Sequence, residues 1–364
     1  MVRRTMAFIA ITWVLAGAPS AETASQPIFR NACDASAAFF EPGGDLVVAD
    51  DRTDVMSAYS VEGGAPIRPV DMYAFTGTNR WARRNFSAFE AVAPLGDKLY
   101  FLTSHARNRK RGANRPYRRR FFAVRPVVVD GRQEFEQVGA TYKKLNTALT
   151  ESKELRRTGV ASSIMELHRE LPYLSPDQRG ISLQALAAGR DGSSLLIGLR
   201  NPRIAGRSLV IPFLNPERVA LGLAEPTFAA AILLDLGGQG IADMVLDSAQ
   251  GDYLISTGPA GGPDGSGTEG RLYRWSGEAS DPPKQLESFA REHFDPQALA
   301  LASDKRLLVL SDDGTVPFAV KGRDECKRPL DADGKCACHD LVDESRKQFR
   351  GQWVDLSGKV SGKQ

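Results

Sequence analysis

The feature that most constrains this chain is a two-strand unit that occurs five times. Its clearest copy covers residues 182–202. A polar residue, Gln184, opens an apolar run, the chain turns between Gly189 and Gly192, and a second apolar run ends on Arg200 and Asn201. The other copies open at Ser36, Glu90, Asp243 and Gln297 and keep the same order of polar start, apolar run, turn, apolar run and polar exit. The openings lie 54, 94, 59 and 54 residues apart, the spacing of propeller blades with one large insertion. A hairpin exposes an apolar face that it cannot bury alone, so five such units must stack on one another. The expected fold is all-β, a five-bladed β-propeller with six blades as the alternative count, and a short helical insertion between blades two and three.

Further β-like runs supply the outer strands. Blade one continues over 55–61 and 66–72, blade two over 120–129 and 135–140, blade three over 208–214 and 228–236, and blade four over 271–275 and 285–289. Asp130-Gly131 between the two blade-two runs is a tight-hairpin signal. Blade five is expected to take 316–320 as its third strand and 349–356 as its outer one. The insertion covers 144–178, where Ile164, Leu167, His168 and Leu171 recur at helical spacing; it is either a packing insert or a lid. The propeller domain is read as 26–356, with a cysteine-containing loop over 323–345 and a disordered tail over 357–364.

Residues 1–21 carry Arg3 and Arg4, an apolar run over 6–15 and then Ala-Gly-Ala-Pro-Ser-Ala. That is the order of a secretory signal cleaved after Ala21. The run is too short for a membrane anchor, and no other stretch could span a bilayer. The expectation is an exported, monomeric protein, periplasmic or extracellular. Export makes Cys33, Cys326, Cys336 and Cys338 a disulfide signal. Four thiols allow three pairings; a closed ring would let Cys33 reach the distant trio and leave a local loop between the other two. Metal binding by Cys326, Cys336, Cys338 and His339 would need reduced thiols outside the cytoplasm.

Net charge is +3, or +1 without residues 1–21. The near-balance hides a segregation. Arg107, Arg109, Lys110, Arg111, Arg115, Arg118, Arg119 and Arg120 form a basic loop with no acid, so the rest of the exported chain stands at about −7. The loop is either a solvated hairpin tip or a docking site for a polyanion. With Tyr117 as its one interior aromatic, it makes no stacking platform for single-stranded nucleic acid.

Inner strands of a propeller begin on the face where second strands end, so two rings of polar residues meet at one mouth of the central channel. Ser36, Glu90, Gln184, Asp243 and Gln297 form the opening ring. Asp50, Asp51, Ser104, His105, Arg200, Asn201, Thr257, Asp312 and Asp313 form the exit ring. Polar groups are costly to bury without hydrogen bonds, so their convergence predicts a polar-ligand site. Its expected binding residues are Glu90, Gln184, Asp243, Gln297, Asp50, His105, Arg200, Asn201 and Asp312; a wet channel that binds only water is the plainer alternative. Arg200 is suited to hold a phosphate or carboxylate bidentately, or to bridge two blades. His293, Glu90 and Asp243 are the candidates for acid–base catalysis. Glu90 and Asp243 are also the expected oxygen ligands for Ca²⁺, the one cofactor considered. G-x-S-x-G, H-E-x-x-H and G-x-x-x-x-G-K are absent, which removes the commonest hydrolase and nucleotide-binding signatures.

The blade-three run A-L-A followed by L-L-I-G-L-R-N-P, with the export signal and the length, resembles the bacterial family called domain of unknown function 3616. Inner strands in that family, and in the phytase-like esterase family to which it is similar, tend to open Glu-Gly before an apolar pair. The matching positions here are Glu90-Ala91, Gln184-Ala185 and Gln297-Ala298, so the Glu is kept once and the Gly nowhere. The resemblance implies a β-propeller and no established reaction. Three functions are consistent with these readings. One is an exported protein that binds a small polar or anionic ligand at the mouth. The second is a hydrolase of phosphate esters or lactones, assisted by Ca²⁺. The third is a scaffold that holds a polyanion or a protein through residues 107–120.

Overall fold

The computed structural model describes residues 26–78, 86–108, 112–157, 180–258, 269–290 and 294–356. The expected signal over 1–21, the stripe from Ile164 to Leu171, His293 and the tail over 357–364 lie outside the described residues. Among the described residues five four-stranded antiparallel sheets form a ring, and one two-stranded sheet lies apart from them. Blade one comprises Ala35–Phe40, Leu46–Asp50, Val55–Tyr59 and Arg68–Asp71. Blade two comprises Phe89–Leu95, Lys98–Thr103, Phe121–Val129 and Arg132–Tyr142. Blade three has Ser182–Ala188, Leu195–Asn201, Ser208–Phe213 and Ile232–Leu234. Blade four has Gly240–Asp247, Asp252–Gly258, Glu269–Trp275 and Lys284–Ala290. The fold is a five-bladed β-propeller.

Blade five is completed differently from the expectation. Its inner strands are Pro296–Leu301 and Arg306–Ser311, but its third strand is Gln348–Asp355 and its outermost is Ile28–Arg30, from the opposite end of the chain. Residues Pro317–Ala319 leave the blade and pair with Lys335–Ala337 instead. Pro317 lacks the amide that an interior strand must donate, so this stretch cannot serve as the third strand without losing a ladder bond. The first strand is well anchored. Phe29 stacks on Phe349 at 4.9 Å between ring centres, and the Tyr59 hydroxyl donates to the Arg30 carbonyl at 3.0 Å.

The apolar runs are long because inner strands are covered on both faces. Five buried clusters fill five seams. One lies between blades one and two around Phe89, Phe101 and Phe122, the next between two and three around Phe121 and Ile197. The third joins three and four around Tyr253 and Trp275, the fourth joins four and five around Leu254 and Leu307, and the last joins five and one around Phe29, Leu46 and Leu308. Five seams for five blades leave no open edge between first and last, so the ring is closed.

The insertion begins as two short helices, Leu145–Glu151 and Lys153–Arg157, which bury Leu145, Leu149 and Leu155 in the seam between blades two and three. Its described part is packing rather than lid. Asp130 and Gly131 both take positive φ, 50° and 74°, as the tight hairpin between the outer strands of blade two requires.

Candidate functional site

Three long excursions share one face of the ring, whereas a fourth, 214–231, leaves from the other. Residues 104–120, 143–181 and 312–347 all leave from the end where inner strands begin, whereas turns at the other end are mostly short. The ladders on the long-loop face are irregular in a regular way. In blades one, two, three and five the register skips one residue at the strand entrance, at Ser36, Glu90, Gln184 and Gln297 respectively. A bulge at this point re-aims the skipped side chain. Blade three skips a second residue, Arg200, on the partner strand.

Four of these groups form a belt across the channel. Gln297 Nε2 donates to Gln184 Oε1 at 3.0 Å, and Arg200 donates to Gln297 Oε1 at 2.6 Å. Glu90 joins through its hydrogen bond with Gln184. Burial, and secondarily Asp51, push the Glu90 carboxyl up to about 8, against the pull of Arg200 and Arg118. Glu90 is therefore largely protonated at neutral pH, and the belt carries the charge of Arg200.

The blade-five to blade-one side of the mouth is acidic. Carboxylate oxygens of Asp34, Asp50 and Asp51 all lie within 4.8 Å of one another. Burial, helped by Asp51, pushes Asp50 up to about 7. Asp34 is raised well above the usual carboxylate range by burial, then by Asp312, Asp51 and Asp50. Arg52 Nε donates to Asp34 Oδ2 at 2.8 Å. Asp312 faces Asp34 in an isolated bridge and accepts the Gly314 amide at 2.9 Å.

Other expected residues sit apart from this belt. In blade four the ladder skips Ala242, not Asp243. Asp243 thus occupies the position of Ala37, Ala91, Ala185 and Ala298, and its side chain turns into the seam. There it accepts the Met244 and Leu299 amides at 2.7 and 2.8 Å, where burial raises its pKa well above the ordinary value. His105 is buried, its Nδ1 donates to the Thr103 carbonyl at 2.7 Å, and burial lowers its pKa to about 4. Thr257 donates to Gln239, Ser36 donates to the Ala49 carbonyl, and Asp313 is held by two bonds from Arg350. Asn201 is buried beside Ser182 and precedes a cis proline.

The basic loop folds back on the blade. Arg120 is buried and donates to the carbonyls of Thr76 and Pro116 at 2.6 and 2.8 Å. Arg118 lies over the Phe86 ring at 5.3 Å. Arg109, Lys110 and Arg111 lie outside the described residues. The four cysteines pair as Cys33–Cys338 and Cys326–Cys336, so none remains for a metal.

Sequence reasoning missed Asp34 and Arg52; it named Arg118 only as part of the basic loop and His339 only beside the cysteines. Asp34 stands two residues before Ser36 and next to a cysteine, which was the available signal. A cavity of about 970 Å³ opens at the opposite end of the ring, walled by Phe39, Phe40, Val245, Leu301 and Trp353. It contains none of the expected binding residues.

The chain matches the family described as "Protein of unknown function (DUF3616)" over residues 119–302, half its length. It belongs to this family. No curated protein matches this DUF3616 member at a significant level. Among solved structures, it is similar to the PQQ-bound aldose sugar dehydrogenase of Streptomyces coelicolor, with 11% identity, 91% of this chain and 99% of that one covered, and a TM-score of 0.41. Glutaminyl cyclase of Myxococcus xanthus gives 10% identity, coverage of 92% and 97%, and a TM-score of 0.41. A gluconolactonase of Xanthomonas campestris gives 12%, 80% and 75%, and 0.36. At these values no activity carries over to the DUF3616 chain. Among its described residues no helix is long and apolar enough to cross a membrane, and the two disulfides are compatible with export.

Proposed function

We propose that this chain is an exported propeller, periplasmic or extracellular, that binds a small anionic ligand at the long-loop mouth of its channel. The observation that carries the reading is the belt in which Arg200, Gln297 and Gln184 join side chains from two blades across the opening. A guanidinium held by an amide network is pre-aimed, so a carboxylate or phosphate meets a donor whose rotamer is already fixed. Protonated Glu90 adds a hydrogen-bond donor and withholds a negative charge. Charge-assisted hydrogen bonds of this kind contribute about 1.5–3 kcal/mol each.

Calorimetric titration with inorganic phosphate and with succinate tests the reading. Arg200→Gln should weaken whichever anion binds by at least about tenfold. Arg125→Gln, at the opposite end of the ring, should leave it unchanged. Binding that is indifferent to Arg200, or a ligand seated in the 970 Å³ cavity, would overturn it.

The hydrolase reading draws on one observation, a carboxyl held near 8 that could act as a general acid. Turnover of a phosphate-ester and lactone panel, abolished by Glu90→Gln, is its test. A panel without turnover removes it.

A further inference from the structure

We propose a divalent metal site, of the zinc or manganese kind, at the seam of blades five and one, built on Asp34, Asp50 and Asp51, with His339 standing beside Asp34 at its edge. It is separate from the Gln184–Gln297–Arg200 belt and goes beyond the anion-binding reading. It also differs from the calcium pair expected at Glu90 and Asp243, since Asp243 is spent on two backbone amides in another seam.

Two independent observations converge on it. The first is the convergence of three carboxylates, with oxygens within 4.8 Å of one another. One oxygen of Asp34 is taken by Arg52, at 2.8 Å to Oδ2, and Asp50 Oδ1 accepts the Arg52 amide at 2.8 Å. Arg52 pairs with Asp34 and Lys347 acts on Asp50 from farther off, while Asp312 adds its charge beside the three acids. A dication is the species that offsets this crowding of charge.

The second is the state of the His339 ring. Its side chain is 9% exposed, and Nδ1 is buried with no hydrogen-bond partner. An orphaned buried nitrogen is costly. This one stands 3.9 Å from Asp34 Oδ1, too far for a hydrogen bond. A nitrogen and an oxygen on one zinc ion, each bonded at about 2.0–2.2 Å, stand roughly 3–4 Å apart. On its other side, Nε2 lies 3.2 Å from Asp340 Oδ2. A carboxylate there favours the proton on Nε2 and turns the Nδ1 lone pair toward the acids, the arrangement that orients metal-binding histidines. Imidazole with carboxylates suits zinc or manganese better than calcium, which takes oxygen ligands.

The scaffold around the site is fixed. Asp34 and His339 each follow a cysteine of the same disulfide, Cys33–Cys338. The His339 amide donates to the Gly314 carbonyl at 3.0 Å. A Cβ on Gly314 would fall 1.7 Å from Asp34 Oδ1 and 3.1 Å from Asp312 Oδ1, so only glycine leaves that carboxylate its place.

The test uses untagged, oxidised full-length chain stripped with a chelator and titrated with Zn²⁺, Mn²⁺ and Ca²⁺ by calorimetry. One equivalent of Zn²⁺ or Mn²⁺ should bind with micromolar or tighter affinity. His339→Gln and Asp34→Asn should each weaken it at least tenfold, while Asp97→Asn, at the far end of the ring, should not. His339→Gln leaves the Asp34–Arg52 pair intact, so a folding defect in Asp34→Asn does not decide the outcome. Co²⁺ bound in place of Zn²⁺ should change its visible spectrum in His339→Gln. No binding tighter than millimolar, binding that survives both substitutions, or binding of Ca²⁺ alone would overturn the proposal.

Discussion

Removing the two disulfides separately should have very different costs. Cys33–Cys338 spans 305 residues and Cys326–Cys336 spans 10. In the chain-entropy treatment a bridge stabilises by restricting the unfolded chain, by about 5.7 kcal/mol for the long loop and about 2.7 kcal/mol for the short one. The long bridge also joins the two ends of the ring, where strand Ile28–Arg30 is held by three residue pairs with Gln348–Arg350. Both cysteines of the long bridge are buried, whereas in the short one Cys336 is buried and Cys326 half-buried, so loss of packing does not favour the long-bridge variant. The paired variants Cys33→Ala/Cys338→Ala and Cys326→Ala/Cys336→Ala should therefore differ by about 3 kcal/mol in urea unfolding. With m near 3 kcal/mol/M, that is a further fall of about 1 M in the midpoint. Costs equal within about 0.5 kcal/mol, or a larger loss for the short loop, would show that ring closure does not limit the unfolded ensemble as argued.

Three more outcomes follow from local geometry. Glu90 has a folded pKa of about 8 against about 4.3 unfolded, so its contribution is fully present below about pH 4.3 and is lost as pH rises to 8. Glu90→Gln should thus gain on the native protein between pH 5 and 9, by at most about 5 kcal/mol; urea midpoints at both pH values, with chelator present, check this, and a pH-independent difference refutes it. Asp54, fully buried, accepts the Ser87 amide at 2.7 Å, the Ser87 hydroxyl at 3.0 Å and the hydroxyls of Thr76 and Thr78. Asp54→Ala should cost about 3 kcal/mol or more by calorimetric melting, because it strands these donors. Gly139 has φ of 70°, and a Cβ there would lie 2.2 Å from the Ala220 carbonyl oxygen; Gly139→Ala should lower stability by at least about 2 kcal/mol in the same assay, whereas Gly131→Ala, in open space, should cost less.

The closed ring was legible because period and turns repeat. Five polar-then-apolar openings locate five inner strands, and Asp130-Gly131 locates a hairpin to the residue. Two things escaped for physical reasons. Blade five takes its outer strand from residues 28–30, a pairing across the whole chain that no local pattern announces. Asp243 was aligned with Glu90 and Gln184 by polarity, but the ladder counts residues, and the skip at Ala242 moves the carboxylate to the other side of the strand. The acidic cluster was only half visible. Asp50 and Asp51 stand in a repeat, whereas Asp34 and His339 meet through the disulfide, a contact that sequence alone leaves as one of three pairings.

The placement of strand Ile28–Arg30 also has a bearing on synthesis. A ribosome delivers that strand before any of the blades, yet its hydrogen-bonding partner, Gln348–Asp355, follows only after all five inner hairpins have been made. Until then the nascent protein is an open arc with one lone edge waiting. Handling of that early segment, rather than assembly of the intervening blades, is where maturation of this molecule should be most exposed to interference.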